Sequence, residues 1–380
     1  MIRQAVTRLD AYIDNLADSY PATEKGLSLF RVLFAFPIVF LSTGPRALWV
    51  TEYPDLFFTP TQPLSFFDCT GRIQLGLVCG FPSEWVILAL EVGFALAAVF
   101  LLFGYRTFYS SILFSVFLVA LNTFRFSFGK VDHGSILMVA MPAIFAFSGW
   151  GNHFSLDAKQ GRKTEWSYPS YSLLFLALAI GVGFLSAGYP KALNWVDFDL
   201  STSGVRGWVV GNYFVKGQTD WLAPVFAYMS NVWIWEGMDY AAVFFEIGIV
   251  LSVLHGSVFR HFLGIAVLFH FSNFLIMNIN FTAFLPIYAA FLPWQSILKT
   301  VKARKVKKYI YYVLKSILLF AVSVLGVWAH ISDALSYILY FDTIKTYLYF
   351  GVSTSIVLGL TVRKIWKTKW AVLALRRRTS

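Results

Sequence analysis

The chain has 380 residues, of which 58% are hydrophobic and 19% aromatic, while only 13% are charged against roughly 25% in a soluble domain. That balance excludes a soluble globular protein and identifies a polytopic membrane protein. The net charge of +11 does not point to nucleic acid, because the basic residues concentrate between or after apolar runs, a placement suited to anionic headgroups.

The opening residues, MIRQAVTRLDAYIDNLADSYP, lack the short apolar core and small-residue cleavage site of a signal peptide, so the N-terminus is expected to be retained. Ile2, Val6, Leu9, Ile13 and Leu16 recur at helical spacing and predict an amphipathic helix on the membrane surface, closed by Pro21. Apolar runs of spanning or near-spanning length follow at about 27–50, 84–103, 108–124, 134–150, 171–189, 240–256, 262–277, 281–298, 310–330 and 344–362. The expected fold class is an all-α polytopic membrane protein with about ten transmembrane helices. The two runs flanking Asn278 to Asn280 read alternatively as a re-entrant pair. This organisation gives an amphipathic segment at 1–24, a transmembrane domain at 25–300, and a basic loop with two further spans and a basic tail at 301–380.

With the N-terminus inside, the inner segments hold 21 Lys and Arg residues and the outer segments 8, which predicts both ends on the cytoplasmic side. Two long outer segments, 51–83 and 188–239, are rich in Trp, Tyr, Phe, Pro and Gly. They are expected to form interfacial helices and turns, with aromatics at headgroup level, as a cap over the outer mouth of the bundle. Cys69 and Cys79, the only cysteines, lie in the first of these; an oxidising compartment would allow a disulfide, and two small buried thiols are the alternative.

Ionisable groups at membrane depth need a structural or functional reason, and here several fall in the outer half. Asp132 and His133 open the fourth run, Lys191 follows the fifth in SAGYPKALNW, and Glu246 lies in the sixth. Glu91 shares a face with Glu84 near the outer end of the second run, and His270, Asn273 and Met277 line one face of the seventh. Together they are expected to build one polar pocket beneath the cap. Each also has a structural explanation: Glu91 and Glu246 as interhelical hydrogen-bond partners, His270 with Asn273 as a core pair, and Lys191 as a snorkelling side chain. Arg31 is expected to snorkel to the inner boundary, where His153, His255 and His261 also fall without an assigned role. His330, near Asp333, is a reserve candidate.

No HExxH, GxSxG, P-loop, dinucleotide fingerprint or zinc-spaced cysteine pair occurs, and no metal site is expected. What remains is an amine and an imidazole on one side of the membrane with carboxylates nearby. A lysine carried into an apolar pocket has its charged form disfavoured, which is how such an amine comes to act as a base. Lys191 is thereby the candidate proton acceptor. His133 would orient a reactant oxygen or stabilise developing negative charge, with Asp132 fixing its tautomer.

Several features in order resemble the HTTM superfamily, the membrane domain of vitamin K-dependent gamma-glutamyl carboxylase and many bacterial proteins. They are Phe30-Arg31 near the first span, Asp132-His133 before an apolar run ending in Ser155-Leu156-Asp157, an AGxxKxxxW segment from Ala187 to Trp195, and a Glu-bearing span followed by one with a mid-helix His. The resemblance covers about 25–300. It implies Lys191 as the base and His133 as its assistant in oxidation of a reduced vitamin K or another quinol by O2. The strong base so formed would deprotonate a carbon acid, with or without CO2 addition, at the outer side of the membrane. Membrane lipids and a secreted peptide or protein substrate are the partners implied. The chain departs from the carboxylase pattern at Pro190, where the carboxylase has a second Lys, and after residue 300, where basic loops and apolar runs replace a large lumenal region. Short bacterial relatives of this type also resemble a membrane component needed to produce a secreted peptide toxin. A non-enzymatic accessory or transport role in peptide or lipid maturation or export is therefore the alternative.

Overall fold

A chain in hydrocarbon must satisfy its own backbone polar groups, and long apolar stretches do so as helices. The computed structural model describes residues 2–40, 47–54, 57–58, 83–128 and 134–300. Among these the protein is helical throughout, with an isolated bridge between Ser148 and Ser167. The expectations for Asp132, His133, Cys69, Cys79, most of 51–83, His330, Asp333 and the last two apolar runs lie outside the described residues.

In chain order the helices are α1 (Ile2–Asp18), α2 (Glu24–Phe40), α3 (Glu84–Phe103), α4 (Thr107–Phe126), α5 (Gly134–Phe145), α6 (Leu156–Lys159), α7 (Pro169–Asn194), α8 (Gly204–Val210), α9 (Ala223–Ala227), α10 (Val232–Ser252), α11 (Gly256–Met277), α12 (Leu285–Tyr288) and α13 (Trp294–Thr300). Four of them, α3, α4, α7 and α11, are long and apolar enough to cross a membrane, so this is a helical membrane protein.

Three expected runs take other bounds. The 134–150 run forms a helix of only 12 residues, α5, before the chain turns at Gly149 with φ of 69°. The 240–256 run begins earlier, at Val232, because Glu236 and Asp239 are buried within α10 although they interrupt its hydropathy. The 281–298 run is not one helix: it breaks into Thr282–Phe284, α12, Ala289–Phe291 and α13, with Pro293 between the last two. Such broken backbone is tolerated at membrane depth only where protein covers it, and Ile287, Tyr288, Ala290 and Phe291 are buried.

The described chain divides into two compact units that interleave in sequence. The first comprises residues up to 193 with 242–260 and 286–301; the second comprises 194–241 and 261–285. Helices α10 and α11 each contribute to both.

In the first unit α2, α3, α4 and α5 pack in succession, and α13 packs on α2. Phe114 of α4 lies 6.0 Å from the Phe34 ring of α2 and 4.8 Å from the Phe94 ring of α3. Phe30 packs edge-on against Phe145 and also meets Trp150 and Trp294. Tyr20, just before α2, donates its hydroxyl to the Val253 carbonyl at 2.6 Å. Burial pushes this phenol well above its ordinary pKa, against the opposing field of Arg260, so the tyrosine stays a neutral donor.

A polar hub closes one end of this unit. Asp157, at the start of α6, accepts from the Arg106 and Thr107 backbone nitrogens at 2.9 and 2.7 Å and from Thr107 Oγ1 at 2.7 Å, capping α4. Arg162 Nη2 lies 3.1 Å from the same carboxylate. Arg31 does not snorkel. It has no exposed surface, its Nη2 donates to the Phe154 carbonyl at 2.6 Å, and Asp157 acts on it electrostatically. Room for it depends on Gly104 at φ of 64°, where a β-carbon would lie 1.7 Å from Arg31 Nη1. Gly104→Ala therefore combines left-handed strain with displacement of a buried guanidinium, and is expected to cost roughly 3 kcal/mol or more. The measurement is a detergent-unfolding midpoint against wild type.

In the second unit α8, a π-helical turn at Gly211–Val215 and α9 surround a core of Val205, Val209, Trp235 and Met277. Residues 195–231 are built of short helices and turns, whereas 188–194 belong to α7 and 232–239 to α10. Asp239 binds the start of α8, accepting from the Gly204 and Val205 nitrogens at 3.0 and 2.7 Å. Asp239→Ala should cost about 1–2 kcal/mol by orphaning these donors, and faster proteolytic cleavage near α8 would report it.

Candidate functional site

The site is built where α7 and α10 meet within the first unit. Their contact is made possible by small residues on α7. A β-carbon at Gly188 would come within 2.8 Å of Glu246 Cβ, and one at Gly181 within 3.0 Å of a Val253 methyl. Both lie on the side of α7 that also buries Ala177. Pro190 interrupts the last turn of α7, since its missing N–H leaves the Ser186 carbonyl without its helical donor.

One residue further, Lys191 Nζ donates to Glu246 Oε1 in an ion pair. The lysine side chain is 25% exposed and the carboxylate 4%, so the pair has a buried acid and an amine partly open to its surroundings. Glu246 Oε2 is buried and has no hydrogen-bond partner among the described residues. A buried carboxylate oxygen with a free lone pair is costly to leave unsatisfied and is ready to accept from a donor brought to the amine. Chemically, the pair can pass a proton between nitrogen and oxygen, and the partly exposed amine is its side open to the surroundings.

The other expected site residues go elsewhere. Glu91 Oε1 accepts from the Ala47 and Leu48 nitrogens at 2.6 and 3.0 Å, holding the start of the short helix Leu48–Glu52, so it acts as a backbone cap. The remaining three belong to the second unit. The His270 ring is buried and stacks on Phe281 and Phe284, with centroids 4.6 and 5.3 Å away. Asn273 is half-buried one turn further along α11. Trp195 lies over Gly204, where a β-carbon would reach its ring at 2.1 Å.

Sequence reasoning missed the Arg31–Asp157 hub and Asp239. The signal for Asp239 was its spacing: Glu236, Asp239 and Glu246 fall on one side of a helix, a pattern hidden by starting the span at 240. No family model, no characterised protein and no solved structure matches this chain.

Gly188→Val should force α7 and α10 apart locally and separate Lys191 from Glu246. Amine-selective labelling read by mass spectrometry is expected to modify Lys191 several-fold faster in this variant than in wild type.

Proposed function

We propose that this protein is a membrane enzyme of the carboxylase-like type, in which Lys191 and Glu246 form the proton-handling centre that accepts from a reduced quinone. The observation that carries this is the pairing of the lysine singled out from the AGxxKxxxW segment with a buried carboxylate that keeps one oxygen free. Glu246 holds the amine in place, and its Oε2 offers an acceptor for a quinol hydroxyl. A proton leaving that hydroxyl passes to the pair, with Lys191 the group nearer the surroundings. The quinol, oxidised by O2, supplies the strong base that would deprotonate a carbon acid, with or without CO2 addition. His133 and Asp132 are assigned the assisting role. In the cell membrane the N-terminus lies inside and Lys191 on the outer side, in a bundle of about ten membrane-crossing segments with both termini cytoplasmic; the substrate is a secreted peptide or a lipid. The HTTM relationship is part of this proposal.

A second function, a non-enzymatic accessory or transport protein for a peptide or lipid, is favoured by one observation. Glu91 and His270 are both engaged in structural contacts.

The discriminating experiment is oxygen uptake by the detergent-purified protein on addition of a reduced naphthoquinone. Uptake by wild type is expected to fall about 100-fold or more in Lys191→Ala, the range for loss of a general base. It should fall less in Glu246→Gln, which keeps a hydrogen-bond acceptor beside the amine. Absence of quinone binding, with no difference among the three proteins, would reject the enzyme and leave the accessory role.

A further inference from the structure

The short helix α5 leaves a recess that the proposed chemistry does not use. After Phe145 the chain passes Phe147 and returns through Tyr168 into α7, so the last turn of α5 lies beside the first turns of α7, with Ser172 Oγ 3.5 Å from the Ile144 carbonyl. The result is an apolar cavity of about 640 Å³ walled by Ile144, Phe147, Tyr171 and Phe175. Phe175 and Phe147 remain 55% and 41% exposed beside it.

Next to this recess is a second cavity, about 380 Å³, with Arg106, Arg162, Lys163 and Trp166 in its wall. An aromatic partition joins the two. Phe147 stacks on Trp166 at 6.0 Å, and Phe108 meets both rings edge-on at 5.3 and 5.6 Å. The cationic cavity also contains two acids, Asp157 and Glu165. Asp157 is committed to capping α4 and to Arg162, which is further fixed over the Tyr105 ring at 5.3 Å. Arg106 and Lys163 then outweigh Glu165, and the cavity keeps a positive balance around a guanidinium already held in place.

We propose that these two cavities form one binding site for an anionic phospholipid, with its phosphate among Arg106, Arg162 and Lys163 and an acyl chain in the recess beside Phe147 and Phe175. Charge complementarity selects the headgroup, and Trp166 between the cationic and apolar cavities suits the membrane–water boundary that such a lipid would set there. Both volumes fall within the roughly 300–1,000 Å³ of ligand sites. The site rests on the membrane assignment of this chain and not on the Lys191 chemistry, so oxygen uptake and lipid binding succeed or fail separately.

The test uses the full chain in detergent with brominated-chain phosphatidylglycerol or phosphatidylcholine. The readout is the part of the tryptophan quenching that disappears in Trp166→Phe. Phosphatidylglycerol should quench that part at a concentration at least about five-fold lower than phosphatidylcholine does, and Lys163→Glu should abolish the preference, since one basic residue at an anionic surface contributes about that factor. Lys163 is exposed, so this variant is expected to fold, and an unchanged unfolding midpoint checks it. Filling the recess with Phe175→Trp should weaken both lipids. Equal quenching by the two lipids in wild type, or a preference that survives Lys163→Glu, would overturn the proposal. So would full displacement of the lipid by glycerol phosphate at equal concentration, which would mark a soluble phosphate site.

Discussion

A guanidinium sealed from solvent governs how the first unit closes. Arg31 makes one hydrogen bond, to the Phe154 carbonyl, while its Nε and Nη1 have no hydrogen-bond partner among the described residues. Burying such a cation costs several kcal/mol unless an opposite charge is near, and Asp157 supplies it. Asp157 performs this while capping α4 and receiving Arg162, so three segments distant in sequence converge on one carboxylate. A second carboxylate, Glu24, strengthens the same end: it accepts from Asn152 Nδ2 at 3.0 Å and from Ser167 Oγ, and lies 3.7 Å from His153. The turn between α5 and α7 is thereby held by charged groups rather than by apolar contact alone.

That arrangement changes the meaning of two motifs that suggested a family. Phe30 and Arg31 belong to the packing and polar hub at this end, and Ser155 and Asp157 cap α6 and α4. Their residue types are accounted for by the contacts they make in the fold. Lys191 differs. It stands 22 residues beyond Pro169 along α7, or about 33 Å at the helical rise, close to the full thickness of a bilayer core. The Lys191–Glu246 pair thus lies at the opposite end of α7 from the contact of Glu24 with Ser167.

Much of the fold was legible because apolar runs have a length that only a helix can satisfy in lipid. The 84–103 run coincides with α3, and 108–124, 171–189 and 262–277 fall inside α4, α7 and α11. Legibility failed where polar groups were neutralised by distant partners. Glu236 and Asp239 shortened the expected sixth run although both are buried, because hydropathy cannot register that Asp239 is satisfied by backbone nitrogens of α8. Arg31 misled for the same reason: snorkelling is the default for an isolated arginine, and its partners lie over 120 residues away. At the site, Lys191 and Glu246 were both named, but their pairing required the approach of α7 to α10 that Gly188 permits. Glu91 looked like an intramembrane acid because the backbone donors that occupy it belong to a turn with no hydropathy signature.

The asymmetry along α7 bears on how a proton-transfer centre would be sustained in a membrane. A buried ion pair is weakly stabilising at best, because desolvation offsets most of its Coulomb attraction. Placed alone at the end of a helix loosened by Pro190, the Lys191–Glu246 pair therefore contributes little to holding α7 against α10. The close packing at Gly181 and Gly188 carries that task. A proton could then move within the proposed centre while the close approach of α7 to α10 at Gly188 is kept. Glu246 Oε2, buried without a hydrogen-bond partner among the described residues, is the one atom of the pair whose polarity the fold does not answer.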